Sequence, residues 1–315
     1  MSDKPEALII FPFIQQWHAE LAEEFTIHFP PPAELDAFVA AHGKRITVLL
    51  TNGSSGASAS QMDRLPALRI IGCFSAGYEN IDLAAAEARG IPVAIGVGVN
   101  AASVADLAFG LMIGVVRNMF ARERAVRQGG WAGLNGLIRT VSNRRLGLLG
   151  FGHIGKAIAK RAAAFDMEIA YHKPARANDV AYQYFPKLEA LAEWCDILIV
   201  CCPGGEATRN LVNEKVLTAL GPQSYIVNIA RGTIIDTDAL IKALRERTIA
   251  GAGLDVFPDE PNVPSALYAL DNVVLSPHVA GFTIESFRGA FELLRDNVRA
   301  QLAGRPLLTP VRTRK

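Results

Sequence analysis

Three short segments place charged and titratable side chains just after predicted strands. They are Asn228–Gly232 with Arg231, Gly253–Pro261 with Asp255 and Glu260, and Leu275–Gly281 with His278. Open α/β sheets place their functional sites at the carboxyl ends of their strands. Charged groups hold ionic ligands, and an imidazole can give or take a proton near neutral pH. These segments are therefore candidates for one catalytic constellation.

A glycine pattern, GFGHIG, lies between a predicted strand and a predicted helix. Gly150 permits a tight turn, Gly152 lets the backbone approach a pyrophosphate, and Gly155 lets the helix lie close to the strand. The first helical residues after the turn are His153 and Ile154. A helix N-terminus offers N–H groups and a positive dipole end to an anion. The pattern predicts a dinucleotide-binding loop, although a bare GxGxxG can also be a plain turn.

The residues after the next predicted strand bear on the choice of cofactor. An enzyme that uses NAD usually has a carboxylate here, which accepts a hydrogen bond from the adenosine ribose. This chain has His172, Lys173, Pro174 and Arg176 instead. Cations attract a 2′-phosphate, so we expect NADP(H) to be preferred over NAD(H). The alternative is that these are surface cations without a ligand.

The elements that must position these residues alternate between short apolar strands and helices. Such alternation predicts an α/β fold with two doubly wound parallel sheets. An amphipathic C-terminal helix is expected to return to the first domain. The predicted domains are residues 1–99 with 285–315, and 100–284. A single long helix, Ala105–Gln128 with Ser103 as its N-cap, is expected to separate the two α/β blocks.

Over nearly its full length the chain resembles the D-isomer-specific 2-hydroxyacid dehydrogenases. The resemblance is carried, in order, by SVADLAFG, GFGHIG, NIARG, GAGLDVFPDEP and SPHVAG. It implies a Rossmann cofactor domain and a flavodoxin-like substrate domain. The charged segment after His172 is most similar to that of NADPH-dependent glyoxylate/hydroxypyruvate reductases. The implied reaction is the NADPH-dependent reduction of short 2-oxo acids to D-2-hydroxy acids.

The resemblance implies a role for each residue of the constellation. His278 would donate a proton to the nascent alkoxide. Glu260 would hydrogen-bond the other imidazole nitrogen, which orients the ring and keeps its cationic form available. Arg231 would bind the carboxylate of the 2-oxo acid. Asp255 would contact the nicotinamide end of the cofactor, although a carboxylate at a strand end can also be a cap.

The resemblance implies further contacts in both domains. The remaining cofactor positions are Val104, Cys202, Pro203, Ile229, Ala230, His278 and Gly281. The family's substrate loop matches Ser75, Ala76 and Gly77, where backbone donors would hold the substrate carboxylate beside Arg231 and His278. A second turn with Gly53 and Ser54 could close over the substrate, although small polar loops are usually plain loops. The chain departs from the family at 94–98, which puts the local hinge path in doubt and not the chemistry.

Composition excludes several classes of partner. The 315 residues include 32 Lys and Arg against 31 Asp and Glu, a net charge of +1. This balance gives no field for nucleic acid or an anionic membrane, so an anionic ligand must be held locally. The spacing of the cysteines, at 73, 195, 201 and 202, fits neither zinc nor disulfides, and no metal is expected. Reduced thiols and an N-terminus without signal-peptide layout predict a cytoplasmic protein.

Other interpretations remain open at this point. Transcriptional corepressors share the fold and keep cofactor binding, so a non-catalytic NAD(P)-binding regulator is one alternative. A family member that acts on another 2-hydroxy acid is a second. The set Arg231, Glu260 and His278 favours catalysis. The family generally forms dimers through the cofactor domain, so a homodimer is expected, with Ala105–Gln128 as a contact.

Overall fold

The chain forms two compact units. The first contains Met1–Asn100 and Ile284–Lys315, and the second contains Ala101–Thr283. The second unit is one continuous segment, whereas the first is built from both ends of the chain. The computed structural model describes residues 4–12, 17–131, 137–178 and 180–311.

Twelve strands are described. They are β1 (Glu6–Ile9), β2 (Thr26–His28), β3 (Ile46–Thr51), β4 (Ile70–Cys73), β5 (Val93–Ile95), β6 (Arg145–Leu149), β7 (Glu168–His172), β8 (Gln183–Tyr184), β9 (Ile197–Val200), β10 (Tyr225–Asn228), β11 (Gly251–Leu254) and β12 (Val273–Leu275). The described α-helices are α1 (His18–Ala22), α2 (Leu35–His42), α3 (Ala59–Asp63), α4 (Leu83–Ala88), α5 (Ala101–Val116), α6 (Met119–Arg127), α7 (His153–Ala163), α8 (Leu188–Trp194), α9 (Glu214–Leu220), α10 (Thr237–Arg245) and α11 (Ile284–Leu302).

The first unit is a five-stranded parallel sheet in the order β2-β1-β3-β4-β5, which is the flavodoxin-like order. Its two faces carry separate apolar clusters. One cluster joins Ile9, Phe74 and Phe291 and includes the inner face of α11. A Cβ at Gly72 of β4 would lie 2.5 Å from the Cδ1 atom of Leu294, so this glycine lets α11 pack closely on the sheet.

The second unit is a seven-stranded parallel sheet in the order β12-β11-β10-β9-β6-β7-β8. Strand order reverses between β6 and β9, which creates the crevice where Rossmann folds bind dinucleotides. The residues of β9 are all buried, because helices cover both faces of a parallel sheet. The predicted α/β fold with two doubly wound sheets is therefore confirmed.

The single long helix predicted over Ala105–Gln128 is wrong. The structure has α5 and α6 in its place, bent by 68° with respect to each other. Asn118, between them, has a left-handed backbone (φ 46°) that ends the first helix. The chain turns there because α5 is buried against β10 and β11, whereas α6 has no buried residue. Ser103 lies inside α5 and is not its N-cap, and its hydroxyl bonds that of Thr283 at 2.8 Å.

Membrane-spanning potential is confined to this same bent pair. No single helix in the described ranges is long and apolar enough to cross a bilayer. Taken together, α5 and α6 are long and apolar enough to cross one, by length and composition alone. Most of α5 is buried within the second unit.

Candidate active site

The candidate residues of the second unit lie in loops at one edge of its sheet. The glycine loop follows β6, Arg231 follows β10, Asp255 and Glu260 follow β11, and His278 follows β12. All these strands are parallel, so their carboxyl ends share one edge. The fold therefore brings together segments that are far apart in the chain.

The glycine loop has the geometry that its spacing predicts. Gly150 has φ +102°, and a Cβ there would lie 2.6 Å from the backbone nitrogen of Cys202. A Cβ at Gly155 would lie 2.7 Å from the carbonyl oxygen of Gly150, so this glycine lets α7 approach the strand. Phe151, between the first two glycines, is buried and stacks on Tyr171 with ring centroids 4.5 Å apart.

The start of α7 fits a bound pyrophosphate. Gly152 is its N-cap, and no side chain caps the helix. A Cβ at this position would meet nothing within 4 Å, so the protein's own packing does not require glycine here. His153 is exposed and Ile154 is half-buried in the first turn. An uncapped N-terminus behind an open glycine is a suitable anion site.

The predicted cofactor-selecting loop follows β7. The His172 ring lies 2.9 Å from the carbonyl oxygen of Phe185, which fixes the end of the strand. Lys173 is half-buried, and Pro174 and Arg176 are exposed. Neither cationic side chain forms an ion pair with any residue in the described ranges. The loop therefore presents positive charge next to the glycine loop.

The loop after β9 touches the glycine loop directly. The Cys201 thiol donates to the carbonyl oxygen of Gly150 at 3.1 Å. Burial raises the pKa of the Cys201 thiol and raises that of Cys202 to about 11. Both are therefore neutral thiols near pH 7. The Cys202 backbone closes one side of the glycine loop, and contact of Cys202 and Pro203 with the cofactor stays a prediction.

Arg231 is positioned by a buried asparagine. The side chain of Asn228 accepts a hydrogen bond from the Ala230 N–H and donates one to the Arg231 carbonyl, both at 3.0 Å. This holds the turn that contains the buried residues Ile229 and Ala230. The Arg231 guanidinium is half-buried and donates to the carbonyl oxygen of Ala230 at 2.7 Å.

Gly232 brings Arg231 close to the segment with Glu260. A Cβ at Gly232 would lie 2.0 Å from the carbonyl carbon of Phe257. No other residue type fits against that backbone without displacing it. The N–H of Phe257 in turn donates to Oε1 of Glu260 at 2.9 Å. One close backbone contact thus links the loops after β10 and β11.

His278 and Glu260 form a direct pair. Nδ1 of the imidazole lies 2.5 Å from Oε2 of the carboxylate. An ionised carboxylate can only accept, so Nδ1 carries the hydrogen. Nε2 makes no hydrogen bond with any residue of the described part of the chain, and the His278 side chain is 46% exposed. The ring is therefore oriented at one nitrogen and accessible at the other.

Asp255 faces the turn that carries His278. It is completely buried. Its carboxylate accepts hydrogen bonds from the Ser276 hydroxyl at 2.6 Å and from the N–H groups of Val279 and Ala280 at 3.0 Å each. The His278 N–H donates to the Asp255 carbonyl oxygen at 2.8 Å. A contact between Asp255 and the nicotinamide stays a prediction.

Gly281 and Val104 are two further predicted cofactor positions. Gly281 follows the turn that carries His278, and Val104 lies in the core. Gly281 is half-buried, and its carbonyl accepts from the Thr283 N–H at 3.0 Å. Val104 is buried in the apolar cluster that also contains Ile229 and Ala280. The structure thus gives Val104 a packing role, and its contact with the nicotinamide stays a prediction.

The predicted substrate loops of the first unit are joined by Ser75. Its hydroxyl accepts from the Gly53 N–H at 2.8 Å and donates to the Gly77 carbonyl at 2.7 Å. A Cβ at Gly53 would lie 2.4 Å from that carbonyl oxygen. The Ser54 N–H donates to the side chain of Asn52. Gly53 and Ser54 therefore use their N–H groups within the protein.

The N–H groups of Ala76 and Gly77 donate no hydrogen bond to another residue in the described ranges, whereas the Ser75 N–H faces the Cys73 thiol. Consecutive unpaired N–H groups in a glycine-containing turn form an anion-binding concavity. The geometry therefore suits a carboxylate contact at Ala76 and Gly77, and the contact at Ser75 stays a prediction, as does closure of the turn at Gly53 and Ser54 over the substrate.

Three functional positions escaped the sequence reasoning. Asn228 and Gly232 position Arg231, and Ser276 holds Asp255. Asn228 and Gly232 flank the arginine within NIARG, so a polar residue at a strand end and an adjacent glycine were available signals. Ser276 had no signal, because its partner is 21 residues away. No group of His, Cys, Asp or Glu able to hold a metal occurs among the described residues.

Comparison with known proteins adds independent evidence. The family model described as D-isomer specific 2-hydroxyacid dehydrogenase, NAD binding domain, matches residues 109–280. A 2-ketogluconate reductase from Gluconobacter oxydans is 40% identical over 99% of this chain and 100% of its own length. A glyoxylate/hydroxypyruvate reductase from Arabidopsis thaliana is 40% identical over 96% of this chain and 98% of its own length.

A solved structure gives the same result at the level of the fold. It is that of an NADPH-dependent glyoxylate/hydroxypyruvate reductase from Sinorhizobium meliloti in complex with NADP and malonate. Its TM-score is 0.89 at 37% identity, and the match covers 99% of both chains. The resemblance read from the motifs is thereby confirmed. The chain belongs to the D-isomer specific 2-hydroxyacid dehydrogenase family and is an oxidoreductase with an NAD-binding domain.

Proposed function

We propose that this enzyme uses NADPH to reduce short 2-oxo acids, such as glyoxylate and hydroxypyruvate, to D-2-hydroxy acids. The observation that carries the proposal is the pair between His278 and Glu260, 2.5 Å apart at the same sheet edge as the glycine loop. A pair that orients an imidazole beside a dinucleotide site is suited to proton donation during carbonyl reduction.

The residues at the head of α7 fit the cofactor. Gly152 and the N–H groups that begin α7 would hold the pyrophosphate in the turn that Gly150 and Gly155 make possible, and Lys173 and Arg176 would attract a 2′-phosphate. When bound, NADPH supplies the hydride that the carbonyl carbon accepts. The preference for NADPH is supported by the two cations and by the NADP complex of the Sinorhizobium meliloti relative.

His278 and Arg231 divide the remaining chemistry. Nε2 of the imidazolium gives its proton to the carbonyl oxygen as negative charge develops there, and the ring regains a proton from solvent. Glu260 holds Nδ1, stabilises the cationic ring and prevents it from rotating. Arg231 binds the substrate carboxylate and polarises the adjacent carbonyl. The N–H groups of Ser75, Ala76 and Gly77 are proposed as further carboxylate donors.

A homodimer is proposed as the working form. Exposed apolar side chains concentrate in one stretch of the second unit, on α6 and after it. They are Met119, Phe120, Val126, Trp131, Leu137 and Ile138. Exposed apolar side chains are more numerous there than a monomer needs, which favours a contact surface in this stretch. Sedimentation velocity showing the mass of one chain at micromolar concentration would contradict the dimer. The expected cytoplasmic location stays a prediction.

A steady-state panel tests the proposal. Glyoxylate, hydroxypyruvate, pyruvate and 2-ketogluconate would each be assayed with NADPH and with NADH. We expect the highest kcat/KM with NADPH and one of the first two acids. His278→Ala should lower kcat by about 10²- to 10⁴-fold while its affinity for NADPH stays within about twofold of the wild type.

The outcomes separate the alternatives. Dominant turnover of 2-ketogluconate would keep the mechanism and replace the substrate, in line with the Gluconobacter oxydans relative. A preference for NADH would refute the cofactor assignment. Full activity of the His278→Ala variant would refute the proton donor. Absence of cofactor oxidation with every acid would favour a non-catalytic regulator.

A further inference from the structure

The loop that carries Lys173 and Arg176 is short and lies at the surface. Its cations form no ion pair with the described residues, so nothing among them holds these side chains against one another. Ordering a free loop on ligand binding costs conformational entropy and weakens affinity. A loop that selects between cofactors therefore benefits from being fixed in advance.

Tyr171 fixes the C-terminal end of this loop. The residue is completely buried, at 0% exposure. Its hydroxyl oxygen accepts a hydrogen bond from the Ala177 N–H at 2.9 Å and lies 3.5 Å from the Ala177 carbonyl oxygen. A buried phenol needs a hydrogen-bond partner. Ala177 provides it, so the hydroxyl and the loop backbone hold each other in place.

Tyr184 fixes the N-terminal end. It lies on β8, the edge strand next to β7, and its hydroxyl donates to the Lys173 carbonyl at 3.1 Å. The rings of Tyr171 and Tyr184 are in contact, with centroids 5.4 Å apart. Pro174 further restricts the backbone between the two attachment points. The loop is thus held at residues 173 and 177 by two neighbouring phenols.

The same ring supports the glycine loop. Phe151 stacks on Tyr171, with ring centroids 4.5 Å apart and planes at 28°. The Gly150 N–H also donates to the His172 carbonyl at 2.9 Å. The loop that would hold the pyrophosphate and the loop that would hold the 2′-phosphate therefore share one rigid support.

We propose that Tyr171 and Tyr184 form a clamp that holds Lys173 and Arg176 ready for the cofactor 2′-phosphate and thereby sets the preference for NADPH over NADH. The inference rests on the proposed use of NADPH. Both tyrosines are positioning residues, since each acts through the loop backbone. Their hydroxyls matter for the phosphorylated cofactor, whereas the Tyr171 ring matters for both cofactors.

Three phenylalanine substitutions test the clamp. Tyr171→Phe and Tyr184→Phe remove a hydroxyl and keep the ring. Tyr182→Phe is the matched control, because its ring contacts Phe151 at 5.8 Å and its hydroxyl has no partner among the described residues. The measurements are kcat/KM for NADPH and NADH, the Kd of 2′,5′-ADP as a probe of the phosphate site, and the thermal midpoint.

We expect each clamp variant to lower the ratio of NADPH to NADH efficiency about three- to tenfold, the size of one lost hydrogen bond. The change should lie in the KM for NADPH, and the Kd of 2′,5′-ADP should rise by a similar factor. The double variant should lower the ratio further, and Tyr182→Phe should stay within about twofold of the wild type.

The possible results are distinguishable. A wild type without NADPH preference would refute the cofactor assignment and the clamp with it. A wild type that prefers NADPH, with an unchanged ratio in both clamp variants, would refute the clamp alone. Equal losses with both cofactors would show a general packing role and also overturn the inference. Tyr184 is partly exposed, so its variant remains informative if Tyr171→Phe fails to fold.

Discussion

Two carboxylates of one loop have opposite surroundings. Glu260 is partly exposed and pairs with the His278 imidazole, whereas Asp255 is buried and its carboxylate accepts, among the described residues, from the turn that carries that histidine. His278 has a left-handed backbone with φ 54°. Such a conformation in a non-glycine residue costs of order 1–3 kcal/mol and persists only where its surroundings enforce it. The three hydrogen bonds to Asp255 supply that enforcement.

Asp255→Asn is predicted to impair turnover more than cofactor binding. An amide has one acceptor, so at least one N–H of the turn would face the amide NH₂ group instead of an oxygen. We expect kcat to fall roughly 10- to 100-fold, because proton transfer depends on the position of the imidazole. The Kd for NADPH should stay within about twofold, and the primary isotope effect with deuterated NADPH should increase.

Ser276→Ala is the control for this substitution, since it removes one of the three hydrogen bonds without changing the charge. It should give a smaller loss of kcat in the same direction. A large loss of NADPH affinity with unchanged kcat in Asp255→Asn would instead support a direct contact with the nicotinamide.

For single residues, the sequence predicts which side chains belong to the site but not the direction in which each side chain points. Arg231, Glu260 and His278 follow strands whose pattern is clear, and their loops lie at one sheet edge. The inward orientation of Asp255 depends on N–H groups of a turn more than twenty residues later. A hydrogen bond between segments so far apart has no local signature, so the sequence does not predict which groups the Asp255 carboxylate accepts from.

The glycine loop shows that one motif contains glycines required for different reasons. Gly150 is required by the fold, since it has a positive φ and lies against the backbone of Cys202. Gly152 has an ordinary backbone conformation and open space where a side chain would stand. The loop therefore separates folding from ligand binding at positions two residues apart.

Substitution by alanine should separate these two functions. Gly150→Ala is expected to reduce the free energy of unfolding by roughly 2–4 kcal/mol, because of backbone strain and overlap. Gly152→Ala should lower it by about 1 kcal/mol or less, because alanine is only a somewhat poorer N-cap residue than glycine. Its methyl group would occupy the space needed by the pyrophosphate, so the Kd for NADPH should rise by at least about tenfold.

Denaturant unfolding and fluorescence titration with NADPH measure the two effects. Wild-type affinity in the Gly152→Ala variant would show that the pyrophosphate lies elsewhere.

The sequence predicts helices and strands well where their residues are fully buried. It predicts them poorly at partly exposed edge strands and where burial stops within a helical pattern. The fully buried strand β9 and the helix α7 are clear in the sequence. The short edge strands β2 and β8 are not, since two or three partly exposed residues give no periodicity. The break at Asn118 was missed because α5 and α6 together give a continuous helical pattern, and only the loss of burial after Val116 separates them.

Across the whole molecule, the cysteines couple stability to pH. Burial raises the pKa of all four thiols, including that of Cys195 from 9.0 to about 12. Between these two values the unfolded thiol is ionised while the folded thiol keeps its proton. The unfolded state then binds fewer protons, so stability falls as pH rises. The effect is absent below pH 9, where both states are protonated.

Cys195→Ala should therefore flatten the alkaline limb of the stability curve. A thiol with this shift contributes a slope of about 1.4 kcal/mol per pH unit between its two pKa values. We expect the free energy of unfolding of the wild type to decline more steeply than that of the variant from pH 9 to 11. Parallel curves for the two proteins, measured by urea unfolding, would contradict this account.

In the sequence, the second unit is inserted between the two segments of the first, and this order has a consequence for biosynthesis. All five strands of the first sheet precede residue 101, whereas α11, which covers one apolar face of that sheet, begins at Ile284. Even the edge strand β5 receives its partner, Pro310, from the last residues described. On the ribosome the continuous second unit is complete while the N-terminal sheet still has an uncovered face. The first sheet is thus translated before the second unit but covered only after it, so its apolar face is exposed to aggregation until α11 has been made.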